Sequence, residues 1–374
     1  MSATPATLPL YRAEQVGSFL RPKALLDARA AFKAGSLDAA GLRRVEDESI
    51  ADIVKYQEDL GLRAVGDGEF RRTYFHVDFL TQLAGVVETG GMTTKFHKVQ
   101  GDVDYAPPVM TVNARVRHAR PIEVDNYRFL AGVALREPKI TIPSPTMLHF
   151  RAGRKAISAE LYPDMEQFYA DISAAYCGEV SQLAAAGLRY LQLDDTNLAY
   201  LCDPEQRERA RGRGEDPNAL PRRYAELINS SLAAAPASMA TGIHLCRGNF
   251  RSSWAAEGGY EPVAEVLFNE MNVERYFLEY DDVRSGDFVP LRHVPKGKVI
   301  VLGLVTTKLG ELESADDICR RIDEAAKHCP LEQLALSPQC GFASTVHGND
   351  VSVAQQTAKM QLVMDVARRV WGDN

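Results

Sequence analysis

The chain has 374 residues, 45% of them hydrophobic and 25% charged, with a formal net charge of −7. That balance supports a sizeable globular core and excludes the basic face of a nucleic-acid binder. No run of about 18 apolar residues occurs, which argues against a membrane-spanning helix, and MSATPATLPLYRAEQ at the amino terminus has no charged start followed by an apolar stretch.

In chain order, short apolar runs alternate with helical patterns. AEQVGSF (13–19) precedes DAAGLRRVEDESIADIVKYQEDLG, whose apolar residues recur three and four apart. RAVGDGEF (63–70) follows. The interval 80–135, rich in Thr, Val and Gly, interrupts the pattern and reads as an inserted β-ribbon after the second strand, placed to contribute to a lid. KITIPSP (139–145) is next, then the helical DMEQFYADISAAYCGEVSQLAAAG and the run LRYLQLDD (188–195). SMATGIHLC (238–246), VERYFLEYDD (273–282), KVIVLGLVTTK (298–308) and EQLALSPQC (332–340) complete the runs, with helices between and after them. RERARGRG (207–214), flanked by glutamates, reads as a solvated loop or helix end.

Eight near-continuous apolar runs, nearly all followed by helix, predict an α/β fold: a closed (β/α)8 TIM barrel forming one domain over 1–374. A doubly wound open sheet is the second choice, but VGSFLRP is no glycine-rich dinucleotide fingerprint. In a barrel the C-terminal strand ends carry the active site. The polar residues there are Ser18, Asp67, Glu69, Ser144, Asp194, Asp195, His244, Cys246, Glu279, Lys308 and Cys340, all expected at one mouth.

The six cysteines, Cys177, Cys202, Cys246, Cys319, Cys329 and Cys340, are expected as reduced thiols in a cytoplasmic protein. Cys246 and Cys340 stand apart because each ends a strand-like run. His244 and Cys246, two apart on one strand, share a face. With Glu279 and Cys340 they form a candidate set for Zn2+, since thiolates and imidazole suit zinc better than magnesium or calcium. The alternative is that these residues are ordinary occupants of buried strands.

These residues resemble the C-terminal catalytic barrel of cobalamin-independent methionine synthase, and most closely its short single-barrel homologues. The resemblance runs from VGSFLRP through GDGEFRR, LQLDD, IHLCRGNF and FLEYDD to SPQCGF. It implies a zinc site of His244, Cys246, Glu279 and Cys340. It implies that Val16, Gly17, Ser18, Glu69 and Asp194 hold the amino-acid part of homocysteine, with Asp194 also in the catalytic set. The implied activity is methionine biosynthesis by a zinc-dependent methyltransferase, the thiol being held as zinc-bound thiolate.

Four departures lie on the methyl-donor side. The second, N-terminal barrel of the full-length enzyme is not in these 374 residues. Phe150 stands where the family has the tryptophan on which the pterin stacks. Lys308 stands where it has a proton-donating histidine, and Tyr200 replaces an acid. The expected partners are thus a small-molecule thiol and a methyl donor, which is methyltetrahydrofolate, a methyl-corrinoid or a corrinoid protein; nucleic acid and membrane are not expected. The competing functions are alkyl transfer to another thiol, as in epoxide:coenzyme-M-like chemistry, and a non-catalytic zinc- or thiol-binding barrel.

Overall fold

The computed structural model describes residues 8–91, 93–98 and 101–372. Its strands are β1 (Ala64–Val65), β2 (Ala84–Gly91), β3 (Thr94–Phe96), β4 (Val103–Tyr105), β5 (Pro108–Arg117), β6 (Glu137–Pro143), β7 (Tyr190–Asp195), β8 (Ala240–Leu245), β9 (Arg275–Glu279), β10 (Val299–Val305) and β11 (Leu334–Pro338). Seven form one sheet in the order β1-β6-β7-β8-β9-β10-β11, with every recorded pairing parallel. The fold is thus α/β, a parallel sheet curled into a half-barrel.

The curl follows from burial on both faces. Along β7, Leu191 and Leu193 pack into the large outer core with the helices, while Tyr190 joins Ala240, Phe277, Val301 and Ala335 in a separate inner cluster. Alternation by twos sends neighbouring side chains to opposite faces. The helices that cover the outer face are long and capped where the sequence supplies a cap. Asp38 starts Ala39–Leu60, Asp164 starts Met165–Ala186, and Ser352 with Gln355 makes a capping box before Val353–Trp371.

The inner face also buries charge beneath the site. Glu14 accepts from the Tyr190 hydroxyl at 2.7 Å and pairs with Arg275 at 3.3 Å and Lys139 at 3.7 Å. Lys139 in turn donates to Gln192 at 3.1 Å. Paired this way, the buried charges avoid the cost of an isolated ion, and they fix the floor on which the strand-end residues stand.

Two expected runs shrink in the structure. Of 13–19 only Ala13 is in a β-bridge, to Leu336, and of 63–70 only Ala64–Val65 is strand. The rest of both segments turns over the strand ends, where it contributes polar groups rather than sheet. Within 80–135, β2 pairs antiparallel with β5 and β3 with β4. RERARGRG falls in the helix Pro204–Gly212 and the turn after it.

Candidate metal and substrate site

β8 and β9 deliver the core of the site. His244 on β8 and Cys246 just beyond its end both turn toward Cys340, and His244 is in register with Phe277 of β9. The Phe277 carbonyl lies 3.3 Å from His244 Nδ1, which turns Nε2 toward Cys340 Sγ at 3.4 Å. Cys246 Sγ is 3.5 Å from Cys340 Sγ. Glu279, at the end of β9, completes the group: one ligand atom from each of His244, Cys246, Glu279 and Cys340 falls within 4.8 Å of all the others, and all four residues are buried. This cluster could hold a metal ion.

Its electrostatics fit a cation. A hydrogen bond from Cys246 holds the Cys340 thiol well below its usual range against the effect of burial, and His244 adds to the shift. Burial opposes a charged His244, yet Cys340 and the nearby acids raise it to about 9. Burial, then Cys340, push Glu279 up. Donors that compete for protons in a buried space are the donors a cation would satisfy together. A tetrahedral zinc site, with Zn–S near 2.3 Å and Zn–N near 2.0 Å, places its ligand atoms about 3.3–3.8 Å apart. The His244–Cys340 and Cys246–Cys340 separations of 3.4 and 3.5 Å match that spacing, while the four ligand atoms together spread over up to 4.8 Å.

Glu279 has other partners too. Its Oε1 accepts from the Arg247 backbone N–H at 3.0 Å, and its Oε2 lies 3.4 Å from Arg284. It therefore reaches the cluster from behind and does not line the cavity in front of it.

That cavity is lined by His244, Cys246 and Cys340 together with Val16, Ser18, Glu69 and Asp194. Two glycines make the approach possible. A Cβ at residue 17 would lie 2.6 Å from Glu69 Oε1, and one at Gly341 would lie 2.0 Å from Ser18 Oγ. Glu69 itself has φ of 59°, a left-handed conformation rare outside glycine, and Asp67 accepts its backbone N–H at 2.8 Å. Thr141 Oγ1 donates to Glu69 Oε1 at 3.3 Å, while Glu69 Oε2 is buried without a hydrogen-bond partner. Burial raises Glu69 to about 8, with Arg72 opposing, and raises Asp194 to about 6, with His244 opposing.

Not every expected strand-end residue joins them. Asp195 follows Asp194 and so points to the other face, where it accepts from Thr146 Oγ1 at 2.5 Å and from the Leu198 N–H at 2.8 Å. Ser144 belongs to the same network, 3.2 Å from Thr146 Oγ1. Lys308 does not line the cavity. Its Nζ donates to the Ser253 carbonyl at 3.0 Å, Asn249 Oδ1 at 3.3 Å and the Gly248 carbonyl at 3.4 Å. Phe150 lies on a second cavity, with the Arg213 guanidinium 5.3 Å from its ring centroid.

Several cavity residues escaped the sequence reading: Tyr74, Phe75 and His76 from one loop, Phe96 and Tyr105 from β3 and β4, and Arg151. The aromatic run in RRTYFH, just after GDGEF, was the available signal. Phe96 and Tyr105 bring the 80–135 interval to the cavity, where Tyr105 stacks on Phe250 at 3.8 Å.

A parallel sheet whose strand ends gather this cluster beside buried carboxylates belongs to a defined class. The family model for the catalytic domain of cobalamin-independent synthases matches residues 12–368, and the chain belongs to that family. Among its relatives, the uncharacterized protein YxjH of Bacillus subtilis is 43% identical over 366 residues, covering 96% of this chain and 95% of that one. The methionine synthase of Pyrococcus abyssi is 24% identical, with 90% of this chain and 87% of that protein aligned. A solved Listeria monocytogenes structure, named a candidate vitamin-B12-independent methionine synthase, superposes with a TM-score of 0.77 at 35% identity and 99% coverage of both chains. The structure of a B12-independent methionine synthase from Shewanella shares the fold, with a TM-score of 0.72 at 18% identity and 97% and 98% coverage. Among the described residues no helix is long and apolar enough to cross a membrane.

Proposed function

We propose that the protein is a zinc-dependent thiol methyltransferase that converts homocysteine to methionine. The observation that carries this reading is the meeting, in one cavity, of soft metal-binding side chains with two buried carboxylates, one bearing an unpartnered oxygen. A site serving only to hold a structural metal has no use for Glu69 and Asp194 beside it.

His244, Cys246, Glu279 and Cys340 would hold the ion. When bound, zinc lowers the pKa of the substrate thiol and keeps its sulfur a nucleophile at neutral pH. The Phe277 carbonyl fixes the His244 ring so that Nε2 is its coordinating atom. Glu279 would hold the ion from behind, its carboxylate also accepting from the Arg247 N–H and lying near Arg284. Glu69 and Asp194 accept the substrate ammonium, and the backbone of Val16, Gly17 and Ser18 receives its carboxylate. Arg72 supports Glu69 indirectly, donating to Thr141 Oγ1 at 3.0 Å. The methyl group then passes in line from donor to sulfur, one bond forming as the other breaks, and the contribution of these residues is position.

We read the sheet further as a closed (β/α)8 barrel in one domain, with its first strand at the start of 13–19 and the inserted ribbon within 80–135. Support comes from the Glu14 N–H to Leu336 carbonyl bond at 2.9 Å, the Leu336 N–H to Arg12 carbonyl bond at 2.8 Å, and the Phe19 N–H to Gly68 carbonyl bond at 3.2 Å. The six free cysteines suit the reducing cytoplasm.

The test is a methyl-transfer assay on the zinc-loaded protein, offering homocysteine with methyltetrahydrofolate and with methylcobalamin. Methionine from at least one donor is the expected result. No methionine from either, with zinc bound, would contradict the reading.

A further inference from the structure

The cavity has a second set of polar groups that the thiol-binding residues do not use. His76 is 2% exposed, and neither of its ring nitrogens has a hydrogen-bond partner. Arg151, on the same cavity, has a buried Nη1 with no partner among the described residues, and no carboxylate among them pairs with its guanidinium. A buried imidazole or guanidinium nitrogen left unpaired is costly. Two such groups lining one cavity point to a ligand that satisfies both.

The loop that carries His76 is held in place by its neighbours. Tyr74 bridges Thr345, the Phe75 N–H donates to the Ser344 carbonyl at 3.2 Å, and Asp78 accepts the Thr73 and Tyr74 N–H groups at 3.0 and 2.8 Å. His76 follows directly and starts the short helix Val77–Leu80. The electrostatic influence of Arg151 reaches His76, Tyr105 and Tyr200. Burial and Arg151 hold His76 well below its ordinary range, so it meets a ligand as a neutral ring with one N–H to donate.

Arg151 and Tyr200 also line the second cavity, beside Phe150, Arg209 and Arg213. Arg209 and Arg213 are already paired, with Glu205 at 2.7 Å and Glu215 at 2.9 Å. Arg151, lining both cavities, is the one of the three with no carboxylate partner among the described residues. The amino-acid end of the first cavity is acidic, through Glu69 and Asp194, and this wall is cationic.

We propose that His76 and Arg151 form an anion-recognition pair that holds an acidic group, carboxylate or phosphate diester, of the methyl-donor substrate. This rests on the methyl-transfer reading for the identity of the ligand, and on the cavity geometry for its charge. A permanent cation and a neutral ring N–H together supply donors to adjacent oxygens of one anion. Methyltetrahydrofolate offers a carboxylate there and methylcobalamin a phosphate diester.

The experiment measures binding of each donor to the zinc-loaded, homocysteine-bound protein by isothermal titration, for wild type, Arg151→Leu, Arg151→Lys and His76→Phe. Arg151→Leu should weaken the donor that binds by about tenfold or more, the size of a lost charged hydrogen bond. Arg151→Lys should recover part of it, and His76→Phe should weaken it several-fold (roughly 3 to 10 times). Homocysteine binding, measured separately, should stay within about twofold, since the pair lies outside its grip. Unchanged donor affinity in both Arg151→Leu and His76→Phe would overturn the proposal. So would equal loss of homocysteine binding, which would assign the anion to the amino acid, or no binding of either donor to wild type. Arg151-dependent binding without methyl transfer would sink the methyltransferase reading and leave this one standing.

Discussion

Gly17 stands so close to Glu69 that a Cβ at residue 17 would lie 2.6 Å from Glu69 Oε1. The glycine is required both by the space the carboxylate takes and by its own backbone, whose φ is 158°. Gly17→Ala should therefore displace Glu69 and weaken homocysteine binding by about tenfold or more. Zinc content should not change, because the four ligands lie on other segments. Calorimetric titration with homocysteine and metal analysis check both halves. Undiminished homocysteine affinity in the alanine variant would remove Glu69 from the substrate site.

Glu69 also predicts a pH dependence. Burial raises its carboxyl to about 8 in the folded protein, with Arg72 opposing. The folded state thus keeps a proton that the unfolded state releases near pH 4–5. Stability from this group is complete below that range and is lost as pH rises through about 8. Glu69→Gln cannot lose it. The variant should gain on wild type between pH 5 and pH 9, by something on the order of 4 kcal/mol. Thermal unfolding across that range measures the gap, and a gap that stays constant with pH would show that the Glu69 carboxyl is not raised.

Much of this site could be read from spacing alone. His244 and Cys246 were legible because two residues on a strand share a face, and Glu279 because its strand-like run is plain. The same rule of two, applied strictly, would have separated Asp194 from Asp195, which point to opposite faces. Other features depend on segments far apart in sequence. Nothing local to SF(18–19) or EF(69–70) says that these stretches leave the sheet. His76 and Arg151 meet one cavity only because the chain folds 70–78 against 344–346 and brings 145–156 alongside. Lys308 aligned with a proton donor, but its contacts with 248–253 are invisible without the fold.

Those contacts give Lys308 a specific role to test. Its ammonium serves the carbonyls of Gly248 and Ser253 and the Asn249 side chain, which follow directly on Cys246. Lys308→Met should leave these acceptors unsatisfied and cost about 1–3 kcal/mol of stability. Denaturant unfolding checks this. A variant as stable as wild type but inactive would return Lys308 to the chemistry.

The placement of Lys308 and Phe150 also bears on the donor. Lys308 does not line the cavity, and its ammonium is taken up by the carbonyls of Gly248 and Ser253 and by Asn249. Phe150 lies on the adjoining cavity. A donor that needs no protonation on leaving should be favoured, so methylcobalamin should be turned over faster than methyltetrahydrofolate in parallel assays. Efficient, Lys308-dependent transfer from methyltetrahydrofolate, matching methylcobalamin, would reverse that order and restore a proton-donating role.

The central claim is that the His244, Cys246, Glu279 and Cys340 cluster holds zinc and that zinc takes the substrate sulfur. X-ray absorption at the zinc edge tests it most directly, on wild type and on Cys340→Ser, with and without saturating homocysteine. Wild type should carry one zinc per chain with two sulfur neighbours, and homocysteine should add a third near 2.3 Å, while Cys340→Ser should lose most of its metal and remain folded. A protein that takes up no zinc, or whose sulfur coordination is unchanged by homocysteine, would contradict the account.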